Sequence, residues 1–196
     1  MKSLRGESLV RAEIARDGIV GDRATALVVA SGHARIGKTY RGKEDERLHR
    51  LDDGSAAVAA AALRGVALRS ESTAPRYFDD SPISLVLAPW LEDVQQICGR
   101  TLDVRRFRPN FVADAIPGAQ RESDLLGAEL RLGARVRLRV TKAIRRCVTV
   151  TYDPESDAID PDVLRALAQE REATFGVYCE VVVPGECAVG EALLRS

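Results

Sequence analysis

Cys147 is the residue in this chain best placed to do chemistry. Lys142, Arg145 and Arg146 all lie within five positions of it, and nearby cations favour a thiolate over a thiol. A thiolate is the form that attacks electrophiles or ligates a soft metal. The segment ahead of it has strand character: Val136, Leu138 and Val140 alternate with Arg135, Arg137 and Arg139, which predicts one buried and one cationic face. Beyond Val140 the apolar phase breaks at Lys142 and Arg146. The alternation then puts Arg145, Cys147, Thr149 and Thr151 on the face turned from the core. A packing cysteine on a strand is the competing reading of Cys147 taken alone.

Other reactive types are sparse. Cys98, Cys147, Cys179 and Cys187 stand 49, 32 and 8 residues apart, with no CxxC pair, and the two histidines, His33 and His49, sit in charged, loop-like sequence. That spacing argues against a structural zinc site, a disulfide framework or a histidine-dependent triad. Lys plus Arg and Asp plus Glu both total 29, a balance that excludes the broad basic footprint of nucleic-acid or anionic-membrane binders. The charge is nonetheless uneven. Residues 100–150 carry 12 basic and 5 acidic side chains, residues 151–196 carry 3 and 10, so an anionic ligand is expected in the central third. No apolar run is long enough to span a membrane, MKSLRGE lacks a signal-peptide core, and the expected location is the cytoplasm.

The elements that must hold Cys147 are mostly short strands. They are expected over 9–15, 24–30, 83–86 after a turn-like FDDSP (78–82), 103–113, 129–140 and 175–183, with a last short strand after a turn at Pro184-Gly185 and a long loop over 35–51 flanking a short strand. Helices are expected over 56–63, capped by Ser55 and ended by Gly65; over 90–98, with Pro89 in the first turn and Gly99 at the end; and after Asp160-Pro161. The sum is mainly β with a few helices (α+β), and a barrel closes that many short strands.

The strings KSLRGE (2–7), GIVGDR (18–23), RFRPNFV (106–112), LLGAELRLGARVRL (125–138), RRCVTVTYDPES (145–156), VLRAL (163–167), FGVYCEV (175–181) and VPGECAVGEAL (183–193) occur in the order found in MOSC-domain proteins. The chain resembles that family, the molybdenum-cofactor sulfurase C-terminal domain, over essentially its whole length. Relatives of this layout include the mitochondrial amidoxime-reducing component and bacterial N-hydroxylated-compound reductases. The resemblance implies a MOSC-type β-barrel (76–196) preceded by an N-terminal β half (1–75). It makes Cys147 the molybdenum ligand and the catalytic centre, and places Lys2, Ser3, Arg23, Arg108, Asn110, Arg145 and Tyr178 around a molybdenum cofactor (Mo-molybdopterin).

These residue types suit an anionic pterin phosphate. Arginine offers a planar fork, lysine a mobile point charge, and an asparagine amide both donors and an acceptor. Each also has an ordinary structural role: Lys2 and Arg23 as solvated charges, Arg108 as partner to an acid such as Asp114, Asn110 as a turn residue, Tyr178 as core. The chain departs from the family pattern in two places. IRRC carries Ile144 where a second cysteine often stands, and LAPWL has Ala88 and Pro89 where a small polar residue is usual.

The activity implied is reduction of a small N-oxygenated (N-hydroxylated) compound such as a hydroxylamine, amidoxime or N-oxide. The metal takes the substrate oxygen, and two electrons and two protons release it as water. There is no iron-sulfur spacing and no GxGxxG loop, so a separate electron donor of ferredoxin, cytochrome or flavin reductase type is expected. The alternative implied by the family name is a cofactor carrier or sulfur-transfer protein without N-reductive turnover.

Overall fold

The structure, a computed structural model, describes residues 1–72 and 77–196; the expected boundary between halves, at 75/76, lies outside them. In chain order the strands and helices are β1 (Arg11–Ala15), β2 (Gly18–Ile19), β3 (Thr25–Ser31), α1 (Gly54–Leu63), β4 (Ala67–Ser72), β5 (Ile83–Leu87), α2 (Ala88–Cys98), β6 (Phe111–Ala113), β7 (Glu129–Leu132), β8 (Val136–Arg145), α3 (Pro161–Glu170), β9 (Thr174–Val183), β10 (Gly185–Ala188) and β11 (Leu193–Arg195). They fall into two compact units. The first gathers Met1–Ser8, Gly21–Asp79 and Pro154–Asp157, the second Leu9–Val20, Asp80–Asp153 and Ala158–Ser196. β1 and β2 belong with the second because β1 pairs with β10.

In the first unit β3 and β4 form an antiparallel pair with Leu27 opposite Ser70 and Val29 opposite Leu68. Leu27, Val29, Ala57, Ala61, Leu48 and Tyr40 pack as its core. The 35–51 loop therefore supplies core residues despite its charge, together with a fully buried Asp45; its expected strand is a single bridge between Thr39 and Val28. Asp53, not Ser55, caps α1: its carboxylate accepts from Ala56 N at 2.9 Å. An aspartate placed one residue ahead of the first turn competes well for that amide, and Ser55 instead donates to the same carboxylate.

The second unit is built on a barrel-like six-stranded sheet of order β11-β7-β8-β9-β5-β6. Its pairs are antiparallel except β5 with β6. The α+β, mainly β class is as the sequence indicates. Val136, Leu138 and Val140 are buried while Arg139 is exposed, as alternation requires. β5 is buried at every position, which is what an apolar strand covered on both faces shows. α2 begins with Pro89 in its first turn and stops at Gly99 in the left-handed region, and Asp160 caps α3.

Two further expectations fail, both near Cys147. Residues 104–107 form a 3-10 turn, not a strand, because the Asp103 side chain accepts from Arg105 N and starts the turn; only Phe111–Ala113 is strand. β8 ends at Arg145, after register shifts at Val140/Lys142 and Ala143/Arg145. The chain then turns into a 3-10 helix, Val148–Thr151, preceded by Cys147. Cys147 is thus at a turn, not on a strand face, and Thr151 is buried.

The β5-β9 region is locked from one side by a buried ion pair. Arg171 Nη2 donates to Glu122 Oε1 and Oε2 at 3.0 and 2.9 Å, and Gly176 N donates to Glu122 Oε1 at 2.9 Å. Arg171 Nη1 also pairs with the more exposed Asp93, so removing Glu122 leaves a buried guanidinium compensated on one side only and the Gly176 amide unpaired. Glu122→Ala is expected to lower unfolding free energy by about 3–5 kcal/mol, read from urea melts; a loss under about 1 kcal/mol contradicts the assignment.

Candidate functional site

β8 delivers Arg146 and Cys147 to the turn just past its end, and Arg146 organises the surroundings. Its Nε donates to Phe175 O at 2.7 Å and its Nη1 to Phe107 O at 2.8 Å. The guanidinium carbon lies 5.6 and 5.8 Å from the centroids of the Phe107 and Phe175 rings, which are themselves 4.2 Å apart. Nη2 is buried and has no partner among the described residues. Burial pushes the Arg146 pKa down to about 10, against the opposite pull of Tyr178, Glu122 and Cys147. A cation in this position is destabilised by lost hydration, and an anion brought beside it would restore part of that loss.

Three other buried arginine atoms also lack a partner among the described residues, at Arg50, Arg106 and Arg171. In each it is Nε, at the base of the fork. Only in Arg146 is it a terminal nitrogen, the kind that takes a ligand oxygen.

Gly176 makes room for this guanidinium. At φ +82° it lies in the left-handed region, and a Cβ there would sit 2.9 Å from Leu85 O and 3.1 Å from Arg146 Nη2. Cys147 itself is half-buried, and its Sγ lies 3.2 Å from Thr149 Oγ1.

The sequence-indicated residues of the second unit connect through these contacts. Cys147 and Tyr178 both act electrostatically on Arg146. Arg108 directly follows Phe107, whose carbonyl Arg146 holds, and is exposed with φ 51°. Asn110 Oδ1 accepts from Ser84 N at 3.0 Å and Ser84 Oγ at 2.9 Å, tying β6 to β5, and Ser84 stands opposite Tyr178 across the β5-β9 pair. Arg145 is different. It is exposed at the end of β8, and its side chain makes no hydrogen bond or ion pair among the described residues. The sequence reading counted Arg146 only as a cation near Cys147; its position directly before the thiol, after the alternation breaks, was the available signal.

The remaining three residues lie in the first unit. Lys2 Nζ pairs with Asp79 Oδ1 at 2.7 Å and Lys2 N donates to Thr25 O at 2.8 Å. Arg23 pairs with the adjacent Asp22 at 2.7 Å. Desolvation pushes the Asp79 carboxyl up, but the Lys2 hydrogen bond and then the charges of Lys2, Arg23 and Arg41 outweigh it and hold it below the usual carboxylate range. Ser3 precedes the buried Leu4 with φ 71°. Lys2 is the direct partner of Asp79, while Arg23 and Arg41 act on it at longer range and pair with their own acids, Asp22 and Glu44.

Backbone strain points to the same positions. The described non-glycine residues with positive φ are Ser3, Arg23, Arg108, Glu172 and Ala173. Left-handed φ is unfavourable for residues with a Cβ and collects at functional sites. The first three coincide with positions singled out in the sequence, and Ala173 O accepts from Arg146 N at 2.7 Å.

A family model described as MOSC domain matches residues 62–194. No curated protein sequence matches the chain. Among solved structures, YuaD protein from Bacillus subtilis is 16% identical with a TM-score of 0.58, covering 98% of this chain and 88% of that one; the likeness shows a shared fold. YiiM from Geobacillus stearothermophilus is 18% identical with a TM-score of 0.46, and the match covers 60% of this chain and 55% of that one, so it spans about half of YiiM's length. No described helix is long and apolar enough to cross a membrane.

Gly176→Ala tests the cradle. With both backbone strain and a collision against Leu85 O it is expected to destabilise by ~3 kcal/mol. Gly118→Ala, at φ +78° with nothing within 4 Å, is expected to lose only ~1 kcal/mol. Equal losses in thermal or urea melts would show that no close packing against Arg146 exists.

Proposed function

The chain belongs to the MOSC domain family, whose members bind a molybdenum cofactor, and on that premise we propose that it is a molybdenum-cofactor-dependent oxidoreductase reducing N-oxygenated compounds. The observation that carries the reading is the buried Arg146 guanidinium beside Cys147. One terminal nitrogen, Nη2, has no partner among the described residues, and a glycine lies against it in place of a side chain. A desolvated cation next to a thiol suits an anionic, metal-bearing ligand.

When bound, the cofactor supplies a molybdenum able to reduce an N–O bond by two electrons. Cys147 provides one sulfur ligand, which suits a metal that arrives already chelated. Thr149 Oγ1, 3.2 Å from Sγ, can donate a hydrogen bond to that sulfur once it is ionised. Arg146 compensates negative charge from a desolvated position, where a fixed cation acts more strongly than in water. Asn110, its Oδ1 committed to Ser84, and Tyr178 on the facing strand orient the pterin. Arg108 binds its phosphate. On chemistry alone, Lys2, Ser3 and Arg23 are proposed as further phosphate-binding groups, with Asp79 holding Lys2 in place. Arg145 contributes positive charge from the exposed end of β8. A separate electron-donor protein and a small N-oxygenated substrate complete the reaction, which we place in the cytoplasm.

The test is purification from a host that makes the cofactor. Molybdenum and pterin are expected at about one each per chain, with a higher melting temperature than protein from a host lacking the pathway. The loaded protein should oxidise a reduced viologen dye when given an N-hydroxylated amidine. Loading without turnover of any N-oxygenated compound would favour the carrier reading, and equal metal content from both hosts would remove the premise.

Two substitutions sharpen it. Cys147→Ser exchanges a soft sulfur for a hard oxygen at nearly constant size, so the variant should keep its fold and much of its pterin, lose turnover and shift its visible absorption. Arg108→Ala should lower cofactor occupancy far more than Arg137→Ala, since among the described residues the Arg137 guanidinium bonds only to Val136 O. Equal occupancy in the two would make Arg108 structural.

A further inference from the structure

Arg106 is not explained by any contact described above. Its side chain is 8% exposed, yet it belongs to the short 104–107 turn at the surface of the second unit. Nη2 donates to Asp153 Oδ2 at 2.7 Å and Nη1 to Thr151 O at 3.2 Å. Thr151 is the last residue of the 3-10 helix that Cys147 opens. Across the same gap, Arg146 donates to Phe107 O, the last carbonyl of the 104–107 turn. Each arginine therefore serves a carbonyl at the end of the other's turn, where carbonyls have no partner within the helix. The two side chains form crossed clamps between the segment carrying Arg108 and Asn110 and the segment carrying Cys147.

We propose that Arg106 is a positioning residue that sets the Cys147 turn. Arg146 grips the turn at its start, immediately before the thiol. Arg106 grips its far end, through one carbonyl of the turn and one carboxylate two residues beyond. Thr151 Oγ1, donating to Val148 O at 2.7 Å, keeps the turn closed between the two grips. With both ends held, Sγ is fixed relative to Arg146 and Thr149; with Arg106 removed, the far end keeps the bond from Asp160 N to Thr151 O at 2.7 Å but loses its charge-assisted anchor, and the turn loosens. A lysine at 106 would reach Asp153 as a point charge but could not also bond Thr151 O in a fixed fork. The inference rests on the proposed function only in taking Cys147 as the working thiol, and its test needs no cofactor.

The experiment is residue-resolved alkylation of the full-length, cofactor-free protein with iodoacetamide, followed by mass spectrometry at fixed pH, with half-buried Cys98 as internal reference. Arg106→Ala is expected to speed alkylation of Cys147 about tenfold, as loss of a charge-assisted hydrogen bond loosens a local segment, with the Cys98 rate unchanged. Arg106→Lys should recover about half of the effect on a logarithmic scale, through its charge alone. Asp153→Asn, which keeps size and one acceptor, should move Cys147 in the same direction by a smaller factor and decides the matter if Arg106→Ala fails to fold. An unchanged Cys147 rate overturns the proposal, as does a rise shared equally by Cys98, which would mark global loosening. Because the readout is a thiol rate in apo protein, a failed activity assay for the loaded enzyme leaves this result standing.

Discussion

Burial of the Arg146 guanidinium is the constraint around which the second unit's functional end is arranged. A desolvated cation is costly unless its donors are used and its faces covered. Here two donors go to the carbonyls of Phe107 and Phe175, and both rings lie close to the charge. Several other features follow from accommodating it. Gly176 must lack a side chain, the 104–107 turn must present its last carbonyl inward, and Phe107 and Phe175 must pack against each other. Glu122 then fixes Gly176 from behind and neutralises Arg171, so one buried acid serves a strand amide and a second buried guanidinium.

The strained residues complete that arrangement. Ala173 is left-handed and offers its carbonyl to Arg146 N, and Arg108 is left-handed directly after the carbonyl that Arg146 holds. Conformations of this sort persist only where surrounding contacts over-determine them. In the second unit those contacts converge on one side chain. In the first unit, Ser3 and Arg23 carry the same signature, Ser3 directly after Lys2, which pairs with Asp79, and Arg23 paired with Asp22.

Much of the fold was legible because local rules and tertiary environment agree. Val136, Leu138 and Val140 alternate and are buried; Pro89, Gly99 and Asp160 mark helix ends where capping chemistry predicts. The misreadings share a cause. Asp103, Asp53 and the break after Ala143 are places where a side chain or a register shift diverts the backbone by one turn, and periodicity carries no information about such events. Ordered motifs pointed to Cys147, Arg108 and Asn110, but which of two adjacent arginines turns inward depends on the β8-β9 bulge at Ala143/Arg145. Arg145 was therefore favoured, while the packing centres on Arg146. Tyr40, Leu48 and Asp45 were missed in a charged loop because their burial depends on β3 and on residues distant in sequence.

The residue type at 146 also has a physical explanation that composition alone does not supply. A lysine there would offer three donors on one point charge and no planar faces to lay against Phe107 and Phe175. Its donors radiate from a single nitrogen, which cannot approach both carbonyls from the separate positions that Nε and Nη1 occupy. A guanidinium divides these tasks among distinct atoms: Nε and Nη1 secure Phe175 and Phe107, which are structural contacts, and Nη2 is left over. The charge is delocalised over all three nitrogens, so an anion near any part of the fork relieves the cost of burying the whole group. Structural fixation and a reserve of cationic charge are in this way properties of one side chain, and an anion bound beside it, as proposed, would offset part of the cost of its burial.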